Sequence, residues 1–254
     1  MLKIRNEQMT AFEQAALKNF EDRTIEHLRE YFPQHCELFG EANLRQIIQL
    51  GLKRAQSYGV VAERGVRVYI DLMLLLGSGF AEDPQLPWAT EILKDDAIAQ
   101  ESVRIDRLYE QAMSYLDHVS GVNNEHIDEA QRRLSQQSVE TFSESPIAAT
   151  SDFAARLQTQ LKEVFPEKCQ YIGDTCIGRL IALAQHSAEK YRIKSERGVA
   201  VLTALMFMLG SGVDADPQFP WVAAVLKDES IADEKTRVER LHKDAMTYLG
   251  QWCG

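Results

Sequence analysis

The sequence predicts an all-α protein built from two tandem, pseudo-equivalent helical-bundle units that arose by internal duplication. Three observations carry this. Apolar residues recur at steps of three and four, with no sustained alternation. Two apolar stretches end at glycines well short of a membrane span. The phrase "LGSGFAEDPQLPW" (Leu76 to Trp88) returns as "LGSGVDADPQFPW" (Leu209 to Trp221), 133 residues later.

That single offset runs far along the chain without a gap. It superposes Phe20 on Phe153, Arg23 on Arg156 and Pro33 on Pro166, and "ERGV" at Glu63 on "ERGV" at Glu196. From Glu63 to Leu116 more than half the positions are identical to their counterparts. A unit of roughly 100 residues is long for a solenoid repeat and long enough to own a core. The division is therefore residues 1–119, a linker over 120–150, and residues 151–254. Within the linker, "NNEHIDEAQRRLSQQSVETF" reads as a polar helix and "SESPIAATS" as a loop.

The elements follow in order. Glu7 to Tyr31 has helical spacing, and Pro33 closes it. Glu41 to Tyr58 carries an amphipathic stripe through Leu44, Ile47, Ile48 and Leu52. Gly59 suits a left-handed cap after it; the second unit has Arg192 there and must accept strain or turn differently. Glu63 to Leu76 and Glu196 to Leu209 are apolar on most sides and form the central helix of each unit. Glu63 and Glu196 sit in the first turn, where a carboxylate favours the free N–H groups, and Ser195 can cap the second. Gly77 or Gly79 then ends the helix with positive φ. Asp83 is expected as the next N-cap, with Pro84 at the first helical position. Trp88 and Trp221 are expected as buried anchors, whose truncation costs about 3–5 kcal/mol. The last helix runs from about Ser102 to Val119, with Ile105, Leu108, Ala112, Tyr115 and Leu116 facing inward.

Charge and composition narrow the function. A net charge of −10 disfavours nucleic acid and anionic membranes, which demand concentrated positive charge. The opening residues mix charge into every turn and carry no apolar core of signal-peptide length, so a cytoplasmic protein is expected. Cys36, Cys169, Cys176 and Cys253 form no C-x-x-C pair and read as reduced thiols.

Chemical readings fare poorly. A phosphate loop needs a preceding strand and a Lys-Ser or Lys-Thr pair; here an apolar helix precedes "GSG" and Asp83 follows. Asp214 and Asp216 have calcium-loop spacing, but Ala81 replaces the first in the other unit. His35, Cys36, Cys169, Cys176 and His186 lack zinc spacing. No histidine aligns with a histidine, and no nucleophile elbow occurs. The expectation is no enzyme, no cofactor and no metal. What does repeat is a polar set: Glu63, Arg64, Asp83, Gln85, Asp95, Arg104 and Arg107, with twins Glu196, Arg197, Asp216, Gln218, Asp228, Arg237 and Arg240. It is either a partner-binding cluster or a structural network in which the last helix's arginines face loop carboxylates.

The pattern "ERGV … LM … LGSGxxxDPQxPW … RL..AM.YL" resembles small helical accessory proteins of bacterial type VI secretion and toxin-effector loci, whose usual form is near "ERDV..YI.LM…FDxDPxLPWA". Gly65 and Gly198 stand at the Asp position of that form. The resemblance covers nearly all of each unit and not the linker. It carries no catalytic residue. It implies a cytoplasmic protein that binds another protein, an effector toxin or a secretion-spike component. An adaptor or chaperone, an immunity protein that neutralises a toxin, and a helical scaffold all fit.

Overall fold

The computed structural model describes residues 6–136 and 152–251, with 142, 143, 145 and 147 between them. The described residues include eleven α-helices and the 3₁₀ turns Phe80–Glu82 and Val213–Ala215, with no β-strand element among them. The N-terminal half holds α1 (Asn6–Tyr31), α2 (Pro33–Ser57), α3 (Glu63–Leu76), α4 (Pro87–Leu93) and α5 (Glu101–Ser120). After α6 (Glu125–Gln136), the C-terminal half holds α7 (Phe153–Val164), α8 (Pro166–Lys190), α9 (Glu196–Leu209), α10 (Pro220–Leu226) and α11 (Glu234–Gly250). The bounds of α2, α3 and α4 recur in α8, α9 and α10 at the 133-residue spacing of the sequence, as do the 3₁₀ turns Phe80–Glu82 and Val213–Ala215. No helix among the described residues is long and apolar enough to cross a membrane.

Each half has its own apolar cluster, centred on α3 and on α9. Tyr69, Ile70, Leu72 and Met73 of α3 are fully buried, and so are Leu202 and Phe207 of α9. Full burial of such a side chain contributes about 1.5–3 kcal/mol. Ser195 caps α9 by accepting from the Gly198 N–H at 3.1 Å. In the same position α3 has Ala62, and no side chain caps it. Gly59 and Arg192 both have positive φ (68° and 58°), so the arginine takes the left-handed turn that glycine takes in the other half.

Several local expectations need correction. Pro33 does not only close α1; it opens α2 at the first position, where its missing N–H matters least. The turns before Glu41 are helical as well, and Gly40 (φ 71°, ψ 158°) breaks the helix between the two pieces. Gly173 (φ 76°, ψ 163°) does the same in α8. Asp83 and Pro84 do not open α4. Leu86 is its N-cap and Pro87 its first residue. The Asp83 carboxylate is engaged elsewhere, as shown below. Of the linker, α6 is helical as expected, while residues 137–141 and most of the expected loop lie outside the described residues, as does Cys253. Cys169 is buried and Cys36 and Cys176 are half-buried, and all three are free thiols.

Trp88 and Trp221 are half-buried rather than buried. Their rings sit 6.2 Å from Tyr115 and 5.9 Å from Tyr248, and their indole N–H groups find no acceptor among the described residues. Trp88→Ala is therefore expected to cost less than a fully enclosed tryptophan, about 2–3 kcal/mol, read by urea unfolding. A loss under about 1 kcal/mol would remove it from the set of anchors.

Candidate functional site at the junction of the two halves

The repeated phrase is where the halves meet. Gly77 (φ 90°) and Gly210 (φ 100°) end α3 and α9 and face one another. A Cβ on Gly77 would stand 2.6 Å from the Leu209 carbonyl, and one on Gly210 3.1 Å from the Leu76 carbonyl. Glycine is required here twice over, for its φ and for the close approach of two backbones.

The polar residues that follow reach across. Asp216 accepts from the Ser78 N–H and from the Ser78 hydroxyl, each at 2.7 Å. Asp83 accepts from the Ser211 N–H, also at 2.7 Å. Gln218 donates to the Met73 carbonyl at 2.7 Å, and Gln85 to the equivalent Met206 carbonyl at 3.0 Å. Each aspartate also holds its own turn, accepting from the N–H of Gln85 or of Gln218. Each half thus donates one glycine-serine-glycine loop and one aspartate-proline-glutamine turn to a reciprocal clamp. Ser78, Asp83, Gln85, Asp216 and Gln218 are all buried. Burial pushes the Asp216 carboxyl above its usual range, and the bonds from Ser78 and Gln218 oppose that push. Asn43 and Gln111 add bonds to the Pro217 carbonyl (2.6 Å) and the Tyr171 hydroxyl (3.0 Å).

A cleft of roughly 690 Å³ lies beside the clamp. Gly77, Gln85 and Tyr115 line it from one half, and their counterparts Gly210, Gln218 and Tyr248 from the other. The linker helix α6 forms a further wall, and the exposed side chains of Val122 and Ile127 stand at its rim. Two non-equivalent bases occupy one equivalent position. His35 is brought down to about 4 by burial, so its imidazole is neutral. Lys168 is brought down to about 8 by burial, against the pull of Asp83. Its ammonium donates to the Phe207 carbonyl and lies 4.4 Å from the centre of the Phe207 ring. The Oε1 atoms of Gln85 and Gln218 are buried and have no partner among the described residues.

The rest of the repeated polar set lies elsewhere. Glu63 pairs with Arg23 at 2.9 Å, and its counterpart Glu196 with Arg156. Arg64 pairs with Asp106 at 2.7 Å, while Arg197 at the start of α9 donates its backbone N–H to the Ser143 carbonyl. Arg104 donates to the Gly59 carbonyl at 3.4 Å rather than to a carboxylate. Arg237 likewise serves the carbonyls of Leu226, Asp228 and Ile231. Arg240 does face a carboxylate, Asp228, at 3.1 Å; Arg107 is exposed on α5, and Asp95 holds its own turn at Ala97. The set therefore falls in two places, a buried clamp and an outer girdle. Glu101 and Glu234 belong to the girdle, and the sequence reading does not single them out. Their carboxylates accept from the N–H of Ala62, and of Lys194 and Ser195, at the starts of α3 and α9. Their identity at the common offset is the signal that could have found them.

Among the described residues, no group of three His, Cys, Asp or Glu side chains is placed to hold a metal ion. What the arrangement offers chemically is a hydrogen-bonded junction with a large, mixed polar and aromatic cleft over it. Comparison with protein-family models, with curated proteins and with solved structures finds no match to this chain.

Proposed function

We propose that this protein is a non-enzymatic, cytoplasmic, protein-binding accessory of a bacterial toxin-secretion system of the type VI kind, acting as an adaptor or chaperone for an effector or spike protein. Its two halves are products of an internal duplication, and the clamp fixes them as one body. The supporting observation is the cleft at their junction, with Val122 and Ile127 exposed on its rim. A contiguous exposed apolar patch beside a concavity marks an interaction site, and Leu75, Val122 and Ile127 are exposed apolar side chains lining this one. The carboxylates of Asp83 and Asp216 and the amide N–H groups of Gln85 and Gln218 are occupied within the clamp.

The test is capture of partners from the native bacterial host, with the wild type beside Val122→Arg combined with Ile127→Arg. The expected result is recovery of one secreted toxin or spike component, reduced at least tenfold by the rim variant while its melting temperature stays unchanged. Co-expression with that toxin then separates the roles: stabilised toxin without growth rescue is the adaptor outcome. Growth rescue replaces it with the immunity reading, and recovery of only the protein itself replaces it with the scaffold reading.

A further inference from the structure

The two halves differ at one buried place in a way that creates a second, smaller cavity. In the N-terminal half, His27 of α1 and Asp71 of α3 form a half-buried pair at 3.0 Å. Their counterparts at the common offset are Gln160 of α7 and Ala204 of α9. Thr24 and Arg67 likewise become Leu157 and Ala200. Four polar or charged side chains in one half are thus matched by three apolar ones and a glutamine in the other.

The space they leave is a pocket of roughly 240 Å³. Leu157, Ala200, Ala204, Leu205, Ala245 and Leu249 line it, and Met208 and the half-exposed Met246 border it. Two polar side chains, Gln160 and His242, reach its wall. Burial and the nearby Arg197 hold the His242 imidazole below its usual range, so it is uncharged at neutral pH. Among the described residues, the lining contains no ionised group to match a charged ligand.

We propose that this pocket is a binding site for one neutral, apolar small molecule, aromatic or short-chain aliphatic. Size supports the class. An enclosed apolar cavity of about 150 Å³ takes up benzene, so this larger pocket, open on one side, has room for a bicyclic ring or a chain of several carbons. Chemistry supports it too, since water finds few partners on such walls and is displaced at little loss. The methionines at the border give an adaptable wall. None of the clamp's serines, aspartates or glutamines lines the pocket, and its occupancy does not depend on the protein-binding role.

The probe is the neutral fluorophore N-phenyl-1-naphthylamine, titrated into the full-length protein. Saturable binding of one equivalent is expected. Ala204→Phe, which fills the pocket, is expected to weaken binding at least tenfold and to leave the melting temperature equal or higher. Gln160→His combined with Ala204→Asp rebuilds the polar pair of the other half and is expected to abolish binding as well. This second variant keeps the test decisive if the phenylalanine perturbs folding. Absence of saturable binding by the wild type would overturn the proposal, and so would binding that survives both substitutions.

Discussion

Asp216→Ala is expected to destabilise the protein by about 3 kcal/mol, the largest effect expected of truncating any polar side chain at the junction. The carboxylate accepts from the Ser78 N–H, the Ser78 hydroxyl and the Gln218 N–H. Its removal leaves buried donors without acceptors, at about 1–3 kcal/mol each. Part of that loss is offset, because burying the carboxylate is itself unfavourable, as its raised pKa records. Denaturant unfolding with a constant m-value is the measurement. Ser78→Ala and the double variant complete a cycle, and a coupling energy of at least about 1 kcal/mol is expected for groups in direct contact. Additive losses would mean that the clamp bonds contribute nothing as a pair.

Gly77→Ala is expected to cost more, about 3–5 kcal/mol, because two penalties act together. The backbone there (φ 90°, ψ 148°) is a region that L-residues avoid, at about 1–3 kcal/mol. The new methyl would also meet the Leu209 carbonyl at 2.6 Å, a backbone atom of the other half that cannot swing away. Gly40 isolates the first penalty: it has φ 71° and ψ 158°, yet no described atom lies within 4 Å of its Cβ position. Gly40→Ala should therefore cost only the dihedral strain. Equal losses at the two sites, measured by thermal and urea unfolding, would contradict the close approach of the two loops.

What is legible in the sequence is what depends on near neighbours. The bounds of α3 and α9 follow from an apolar run, a carboxylate in the first turn and a terminal glycine, all contained in the 14 residues of each helix and its cap. The break at Gly40 is hidden because Pro33 signals both an ending and a beginning, and the beginning has no polar N-cap to announce it. Asp83 misleads for a different reason. Asp-Pro has the local signature of a helix start, but Ser211, whose N–H the carboxylate accepts, is 128 residues away. No local rule reaches that far. The repeat does single out Asp83, Gln85, Asp216 and Gln218, which the fold brings together, but it also includes the girdle residues, which lie outside the cleft. Lys168 and His35 do not show as a site pair because they differ from one another, and a search for repeated letters discards such positions.

The clamp also has a consequence in time. Ser78 and Asp216 are separated by 138 residues. Translation at about 5–20 residues per second delivers the N-terminal half many seconds before its counterpart exists. Throughout that interval Ser78, Asp83 and Gln85 have no partner in the other half to engage. The nascent chain therefore spends its youth as half a lock, and the step that closes it waits for the ribosome to finish the other half.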